Sequence, residues 1–401
     1  MRALCLLICL SLVAALSAAE PLRPHPRLQQ LGPNQALDLG RYECPTDEDR
    51  DESRCETITD YSGLVYHPGR HQLMLFGGGH AATYRDDVEL FDLASLTWRS
   101  AYPPTPCEDR RLDNVDVEAG RWISSNHPIA RHSYDLLAVA GEPAELFLFA
   151  RVQGRGRGCH HLPEDKPYVI AEGRVAAYDP QARTWRYTAT PALGFAFAAE
   201  TDPVSGRVLL VDRRSLRTFD PASGRMTLQR KLGFPAMQAG RSLVYFPPLD
   251  RFYYMVQGGR ARGEVLEGVY EIIPNRTNWS DSRIRRMKVE SPGETGHAWA
   301  YDPVHELIGG GVHRGRFHAF DPRERRWYVS VIKTDSGHEV GAVSNYTLAF
   351  DPVNGVYVWR SDGPSGQRTW AYRWGYTPEN QSFKGGRLGF SRAAGYSRSL
   401  N

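Results

Sequence analysis

A recurring spacing between aromatic residues limits what this chain can fold into. In three places six residues separate an aromatic residue from a tryptophan: Phe91 and Trp98, Tyr178 and Trp185, and Phe320 and Trp327. A weaker copy joins Phe219 to Met226, and a stretched copy joins Tyr270 to Trp279. Asp-Pro follows the aromatic residue in the copies at 178, 219 and 320 and favours a turn. Such a period indicates one supersecondary unit repeated along the chain.

A second pattern places a short apolar run before a proline. It recurs at 63–68, 242–247, 298–303 and 347–352. Proline has no N–H to donate to a ladder, so each run is predicted to be a short strand that ends at its proline. Together with the glycine-ended strand 73–79 and the aromatic spacing, these runs predict four short strands in each unit.

The repeated units predict an all-β fold, a β-propeller of six or seven four-stranded blades closed by the chain termini. Six units are recognisable, at about 62–100, 131–188, 194–230, 239–289, 295–332 and 344–376. The N- and C-terminal stretches 20–61 and 377–401 would complete a seventh blade by pairing with each other. Helical solenoids are excluded because no unit carries an apolar stripe with a period of 3.6 residues.

The first unit resembles the repeat of the kelch family. That repeat joins a strand-ending glycine pair to a later aromatic residue and then to a tryptophan, as Gly77-Gly78, Phe91 and Trp98 do here. The resemblance covers most of residues 20–401, although the first unit alone shows the full pattern. It implies a kelch-type β-propeller.

The net charge limits the possible partners of the protein, and the N-terminus predicts its compartment. The chain has 49 Lys+Arg against 46 Asp+Glu, and only five of the 49 are lysines, yet the net charge of +3 is too small for a non-specific nucleic-acid binder. Residues 1–19 read as a signal peptide, with a positive start, an apolar run and small residues before Glu20. We therefore expect one propeller domain over 20–401, a secreted or periplasmic monomer with no membrane anchor.

The cysteines leave two possibilities open. Beyond the signal peptide the chain has four: Cys44, Cys55, Cys107 and Cys159. An even number in an oxidising compartment favours disulfides, of which Cys44–Cys55 with Cys107–Cys159 is the simplest set. The alternative is a metal site formed by Cys159, His160 and His161.

Two long insertions identify the face of the propeller that we expect to carry function. Residues 101–130 join the first two units, and residues 151–172 separate the second and third strands of the second unit. In a propeller, both kinds of connection lie on the same face. Loops on a rigid scaffold are where binding and catalytic residues usually lie.

Aligning the units on their prolines predicts which residues surround the channel on that face. Those that begin the innermost strands are Ser62, Arg131, His132, Phe197, Arg241, His297 and Tyr346. The loops between second and third strands add His80, Arg213, Arg214, Arg260 and His313. A mouth ringed by His, Arg and Tyr indicates a site for an anionic ligand. For each residue the structural alternative is a local hydrogen bond or a brace between blades.

The residue types favour one reaction class. Glycoside hydrolysis usually needs two carboxylates beside the scissile bond, and no such pair stands out at the mouth. The Gly77-Gly78-Gly79 run links two strands and lacks the following helix that a phosphate loop needs. β-Elimination from a uronic acid fits, because Arg or His⁺ can neutralise the carboxylate while His or Tyr moves the protons.

These features resemble the secreted propeller polysaccharide lyases of the ulvan-lyase type. The resemblance implies a uronate-containing anionic polysaccharide as substrate, His132 as base or acid, Tyr346 or His297 as its partner, and Arg241 as neutraliser. His80, Arg131, Arg213, Arg214, Arg260 and His313 would bind substrate. It implies no required cofactor, although a structural zinc or calcium ion is possible.

Other functions remain open on the sequence. One is a non-enzymatic kelch-type propeller that binds glycan or protein through the same face. The remaining possibility is another enzyme class, an epimerase, hydrolase or oxidase. Retention of glycan without product would distinguish a binding module from a lyase.

Overall fold

The computed structural model describes thirteen segments of the chain. They are residues 22–41, 61–77, 86–152, 172–194, 197–212, 214–232, 241–256, 260–261, 264–265, 268–289, 292–340, 347–361 and 367–383. The predicted signal peptide lies outside them. No helix among these residues is long and apolar enough to cross a membrane.

Six four-stranded antiparallel blades form a β-propeller, which confirms the predicted fold class. Before the first blade lie a short helix α1 (Pro26–Gln29) and strand β1 (Gln35–Arg41). The first blade is β2 (Gly63–His67), β3 (Gln72–Phe76), β4 (Val88–Asp92) and β5 (Thr97–Ser100). A small hairpin of β6 (Val115–Asp116) and β7 (Arg121–Trp122) follows. The second blade is β8 (Leu137–Ala140), β9 (Glu145–Leu148), β10 (Arg174–Asp179) and β11 (Thr184–Pro191).

The third to fifth blades repeat this order. The third is β12 (Ala198–Thr201), β13 (Val208–Val211), β14 (Ser215–Asp220) and β15 (Arg225–Lys231). The fourth is β16 (Arg241–Phe246), β17 (Arg251–Val256), β20 (Gly268–Ile273) and β21 (Arg283–Arg286), with a ribbon of β18 (Arg260–Ala261) and β19 (Glu264–Val265) inserted. The fifth is β22 (Trp299–Asp302), β23 (Leu307–His313), β24 (Arg316–Asp321) and β25 (Arg326–Val331). Short 3-10 helices lie at Pro68–Arg70, Cys107–Asp109, Leu112–Asn114, Pro247–Leu249 and Trp279–Asp281.

The sixth blade is completed by the N-terminal strand. After β26 (Lys333–Thr334) come β27 (Leu348–Asp351), β28 (Val356–Ser361) and β29 (Arg368–Arg373). β1 then pairs antiparallel with β29 as the fourth strand, and β26 adds in parallel on its outer side. The last unit at 344–376 therefore supplies three strands of its blade, and the expectation of four was wrong.

The C-terminal strand does not form a seventh blade. β30 (Gln381–Phe383) pairs with β25 as a fifth strand of the fifth blade. The suggested pairing of the two terminal stretches was wrong, because each terminal strand joins a blade that already exists. The described propeller has six blades.

The aromatic spacing has a simple structural cause. The two residues lie directly opposite each other on the third and fourth strands of a blade: Phe91 and Trp98, Tyr178 and Trp185, Phe320 and Trp327. Their ring centroids are 5.0, 5.2 and 4.8 Å apart, so the two rings of each pair are in contact across neighbouring strands of one blade. The stretched copy does not fit, because Tyr270 lies opposite Arg286 while Trp279 begins a 3-10 helix.

The innermost strands make a closed ring around a channel. β2, β8, β12, β16, β22 and β27 each contact the next, and β27 contacts β2. We call the face with the blade-to-blade connections and the loops between second and third strands the upper face. The opposite, lower face carries the turns that follow the innermost strands, with exposed Pro68, Pro203 and Pro247.

Candidate functional site at the upper channel mouth

The central channel is a cavity of about 380 Å³ lined by all six innermost strands. The predicted site residues do not line this cavity in the described part of the chain. His132, Arg241 and His297 instead begin or precede innermost strands, at the upper end of the channel. The candidate site is therefore the upper mouth, above the channel.

Segment 131–135 enters the mouth between the first and second blades and is fixed by Ser133. The Ser133 hydroxyl donates to the Phe76 carbonyl at 2.6 Å and accepts from the Gly63 N–H at 2.7 Å. The Tyr134 N–H donates to the Tyr61 carbonyl at 2.8 Å. These bonds join the segment to the ends of β2 and β3, so its neighbours His132 and Tyr134 are held by the first blade.

Two glycines make this approach possible. A Cβ at Gly77, where φ is +71°, would lie 2.0 Å from the Arg131 carbonyl oxygen. A Cβ at Gly63 would lie 2.4 Å from the Tyr134 carbonyl oxygen. Real Cβ atoms do not come this close to backbone, so the glycine that ends β3 is needed for contact with segment 131–135.

His132 lies in a cluster with two tyrosines. Its Nδ1 is 3.3 Å from the Tyr134 hydroxyl, and its ring packs against that of Tyr61 at a tilt of 35°, with centroids 4.6 Å apart. All three side chains are partly exposed. Tyr61 and Tyr134 both have left-handed backbone, with φ of 60° and 46°. Such φ values are strained for a bulky residue and concentrate at functional sites.

The two tyrosines were missed by the sequence analysis. Proline alignment placed Ser62 and His132 in the site and passed over their neighbours Tyr61 and Tyr134. The available signal was that both tyrosines adjoin a serine at the start of an innermost strand. The structure thus gives His132 a tyrosine partner two residues away.

Arg241 is the first residue of β16 and is 3% exposed. Its positive charge lowers the pKa of Asp135, although burial outweighs it and raises the pKa of Asp135 to about 7. The Asp135 carboxylate accepts the Leu243 N–H at 2.9 Å and the Ser242 hydroxyl at 3.1 Å. The main-chain carbonyl of Asp135 accepts the Ala199 N–H at 2.8 Å. Asp135 therefore joins the second, third and fourth blades beside Arg241.

A second carboxylate lies in the channel near Asp135. Burial first, and then the Asp135 charge, raise the pKa of Glu200 to about 8. Its carboxylate accepts the Thr201 N–H at 3.1 Å and an N–H from Tyr245. The sequence analysis found no carboxylate pair at the mouth, and the structure places this pair just below it, inside the channel.

Arg131 braces the loop that enters the site. Its side chain is fully buried and donates to the carbonyls of Ile129 at 2.7 Å, Ala150 at 3.1 Å and Gly120. Burial lowers the pKa of Arg131 to about 10. This guanidinium bonds the backbone of connection 101–130 and of Ala150 and is closed to solvent, so its predicted role in substrate binding stays a prediction.

The long connection 101–130 is anchored by Asp86. This carboxylate is fully buried and accepts the Thr105 N–H at 2.8 Å and the Thr105 hydroxyl. His127 Nδ1 lies 3.3 Å from the same hydroxyl. Burial raises the pKa of Asp86 and lowers that of His127. The insertion is thus fixed to the first blade beside the mouth.

Other predicted residues lie on the upper face. His313 ends β23, is partly exposed, and its Nε2 lies 3.4 Å from a Glu294 oxygen. Burial lowers the pKa of His313. His297 is partly buried and precedes β22, and Arg214 is exposed between β13 and β14. Their predicted roles in binding or catalysis stay predictions.

Several predicted residues lie outside the described residues. They are His80, Cys159, His160, His161, Arg213 and Tyr346, together with Cys44, Cys55 and the side chains of Cys107 and Arg260. The disulfide and the zinc or calcium alternatives therefore stay predictions. Within the described segments, no group of three or more His, Cys, Asp and Glu side chains could hold a metal ion.

No family model and no curated protein matches the chain, so the resemblance to the kelch family stays a prediction. Three solved structures share part of the fold. A structural genomics protein of unknown function from Bacteroides thetaiotaomicron VPI-5482 is 14% identical, with a TM-score of 0.47 over 84% of this chain and 74% of that chain. An auxiliary nutrient binding protein from Bacteroides thetaiotaomicron VPI-5482 is 10% identical, with a TM-score of 0.47 over 79% of this chain and 70% of that chain.

The third similar structure is an oligogalacturonate lyase in complex with manganese. It is 11% identical, with a TM-score of 0.41 over 78% of this chain and 76% of that chain. At these identities and TM-scores, no residue role, metal or substrate follows for this chain from any of the three.

Proposed function

We propose that the chain is a polysaccharide lyase that cleaves a uronate-containing anionic glycan at the upper channel mouth. The observation that carries this proposal is the His132–Tyr134 pair, with 3.3 Å between Nδ1 and the hydroxyl oxygen. Both side chains are partly exposed, so a sugar ring can reach them. A neutral imidazole beside a phenol hydroxyl is a pair able to take one proton and give another.

The reaction needs a base, an acid and a positive charge. The base removes the proton α to the uronate carboxylate, and the C–H electron pair remains as an enolate-like anion. That pair then forms the ring double bond as the glycosidic C–O bond breaks, and the leaving oxygen takes a proton from the acid. His132 and Tyr134 fill the two proton-transfer roles, and positive charge near the carboxylate stabilises the anion that forms between these steps.

Arginines near the mouth supply that charge. Arg241 lies at its base, at the start of β16. Arg214 and Arg151 are exposed on the upper face, where the sugars that flank the cleaved bond of an anionic glycan would lie. Arg241 is buried and acts through its charge, whereas the planar guanidinium groups of the exposed Arg214 and Arg151 suit two-point contact with a carboxylate.

Tyr61 is the sugar platform in this proposal. Its ring packs at a tilt against that of His132 and is itself partly exposed. Its strained backbone is fixed by the bond from the Tyr134 N–H, so the three rings keep one arrangement before a ligand binds. A preformed site loses less entropy when it binds.

The first prediction tests the proton-transfer pair. His132→Gln and Tyr134→Phe should each lower the rate of formation of unsaturated uronate product by ~100-fold or more, because each removes a proton-transfer group. The measurement is ultraviolet absorbance during incubation with ulvan, glucuronan, alginate and pectin. Tyr376→Phe is the matched control: its side chain is 54% exposed, and its rate should not change.

The binding alternative has a separate outcome. If the folded wild-type protein is retained on an acidic-glycan gel and gives no absorbance with any of the four polymers, the lyase proposal is wrong and a binding module remains. Full activity in both His132→Gln and Tyr134→Phe would instead reject this pair as the site. Arg214→Gln, compared with Arg207→Gln on the lower face, separates glycan binding from general charge loss.

A further inference from the structure

We propose that the central channel is a second binding site, for a small aliphatic amine whose ammonium group is held by the Asp135 and Glu200 carboxylates. This site lies below the proposed lyase site, and the proposal does not depend on that function. Four observations carry it: the cavity, its charge, its aromatic walls and its accessibility.

The cavity is large enough for a small organic molecule and opens on the lower face. Its volume is about 380 Å³, within the range of ordinary ligand pockets. Its lining extends to Pro68, Pro203 and Pro247, which are exposed on the lower face. At the upper end the Asp135 side chain reaches from just before β8 to the start of β16, and the start of β12 is bonded to the Asp135 carbonyl. A ligand therefore enters from the face opposite the proposed active site.

The charge of the channel is unbalanced. Asp135 and Glu200 line it, and no Lys, Arg or His occurs among its described lining residues. Arg241 acts on Asp135 from the upper end, whereas the charge that acts on Glu200 is the repulsive one of Asp135. Two carboxylates enclosed by protein need a proton or a cation to offset their repulsion.

The carboxylates have acceptor capacity to spare. Each can accept about four hydrogen bonds. The Asp135 carboxylate accepts from Leu243, Ser242 and Ala199, which makes three, and the Glu200 carboxylate accepts two main-chain N–H groups. These bonds fix both groups at neighbouring levels of the channel, so an ammonium group meets preorganised acceptors.

The channel walls favour an organic cation over a metal ion. Tyr66, Tyr245, Tyr301 and Phe350 line its lower half, each two residues before the proline that follows its strand. Aromatic faces attract ammonium groups, and the apolar walls accept an alkyl chain. Calcium would need six to eight oxygen ligands. The Tyr245 hydroxyl, moreover, is already bonded to Asp250 at 2.8 Å.

Amine binding competes with protons at the same carboxylates. The other titratable groups that face them are Arg241 above and Tyr66, Tyr245 and Tyr301 below. Burial raises the pKa of Tyr66 and Tyr245 to about 12 and also raises that of Tyr301, so none of these groups changes charge between pH 6 and 8.5. Among the described residues that line the channel, Asp135 and Glu200 are the two that gain or lose a proton in that range.

The test is calorimetric titration of the full chain with 1,4-diaminobutane. Its amines stay protonated at pH 6 and at pH 8.5, as a lysine side chain does. We expect binding at least tenfold tighter at pH 8.5 than at pH 6, with proton release seen as a buffer-dependent heat. Glu200→Gln should weaken binding at pH 8.5 by tenfold or more, and the exposed Glu142→Gln should not change it.

Other variants and probes keep the proposal falsifiable. If Glu200→Gln does not fold, Ala300→Leu narrows the channel without touching a carboxylate and should also prevent binding. The neutral 1,4-butanediol should give no heat. The proposal is overturned if folded wild-type protein does not bind the diamine at pH 8.5, if the diol binds equally well, or if calcium chloride or manganese chloride binds and excludes the diamine.

Discussion

Arginine side chains in this protein divide by their surroundings. Arg131 is fully buried and bonds three carbonyls, whereas Arg214 is exposed beside the mouth. Arg360 is fully buried in β28, with its guanidinium 2.7 Å from Glu89 in β4 and 4.9 Å from the centroid of the Trp98 ring. The ion pair of Arg360 with Glu89 joins the sixth blade to the first, so it lies where the ring of blades closes.

The second prediction concerns this buried pair. Glu89→Gln and Arg360→Met should each lower the free energy of unfolding by about 3–5 kcal/mol, because each removes one charge of a fully buried ion pair and leaves the other charge uncompensated. Denaturation in urea measures the loss. The double variant Glu89→Leu/Arg360→Met should regain most of it, since no unpaired charge remains. Losses below 1 kcal/mol in both single variants would contradict a closing role.

Part of the candidate site could be predicted from the sequence. Proline alignment places Glu200 in register with Val65, Val244, Ala300 and Ala349, so an acid in an apolar register was visible. Its proximity to Asp135 was not, because that contact depends on how a connection between blades folds. Tyr134 was missed for the same reason: its place beside His132 follows from a left-handed backbone that spacing does not show.

Elements were predicted well where the repeat is regular. A four-residue turn between two strands puts an aromatic residue directly opposite a tryptophan, which explains the six-residue spacing in three blades. The prediction was wrong for the fourth blade, where a 3-10 helix at Trp279–Asp281 occupies the connection. It was also wrong for the sixth, because its fourth strand comes from the other end of the chain.

The third prediction concerns that strand. A chain that begins after residue 41 lacks β1, so the edge of β29 is unpaired and Arg368 loses its 2.7 Å ion pair with Asp38. We expect a loss of roughly 3 kcal/mol, from burial and hydrogen bonds together, which corresponds to a fall of about 4 °C in Tm for a chain of this length. A synthetic peptide of residues 22–41 should restore the Tm when added. An unchanged Tm without the peptide would show that β1 does not stabilise the ring.

For the whole molecule, the channel carboxylates make stability depend on pH. In the folded protein the pKa values of Asp135 and Glu200 are raised to about 7 and about 8, above those of an unfolded chain. The folded state therefore holds protons that the unfolded state has released between pH 4 and 8. Because the folded state binds more protons there, stability falls as pH rises through this range.

The fourth prediction follows from that sign. The free energy of unfolding should fall by about 1.4 kcal/mol per pH unit for each excess proton between pH 5 and 7. Glu200→Gln keeps an acceptor for the N–H groups and should flatten the slope, with a gain over wild type that grows toward pH 8. Urea unfolding at pH 5, 6, 7 and 8 measures both. An identical slope in wild type and Glu200→Gln would contradict the titration.

The pairing of β1 with β29 also sets an order of events when the chain is made. β1 ends at Arg41 and its partner begins at Arg368, so almost the whole ring is synthesised between the two halves of this contact. At ~5–20 residues per second, roughly 15 to 65 seconds pass before the partner exists. During this interval β1 has no β29 to pair with, and the five other blades can fold while the ring is still open. The sixth blade is therefore completed only after most of the other strands have been synthesised, and a ribosome stalled before residue 368 would carry a propeller that is still open.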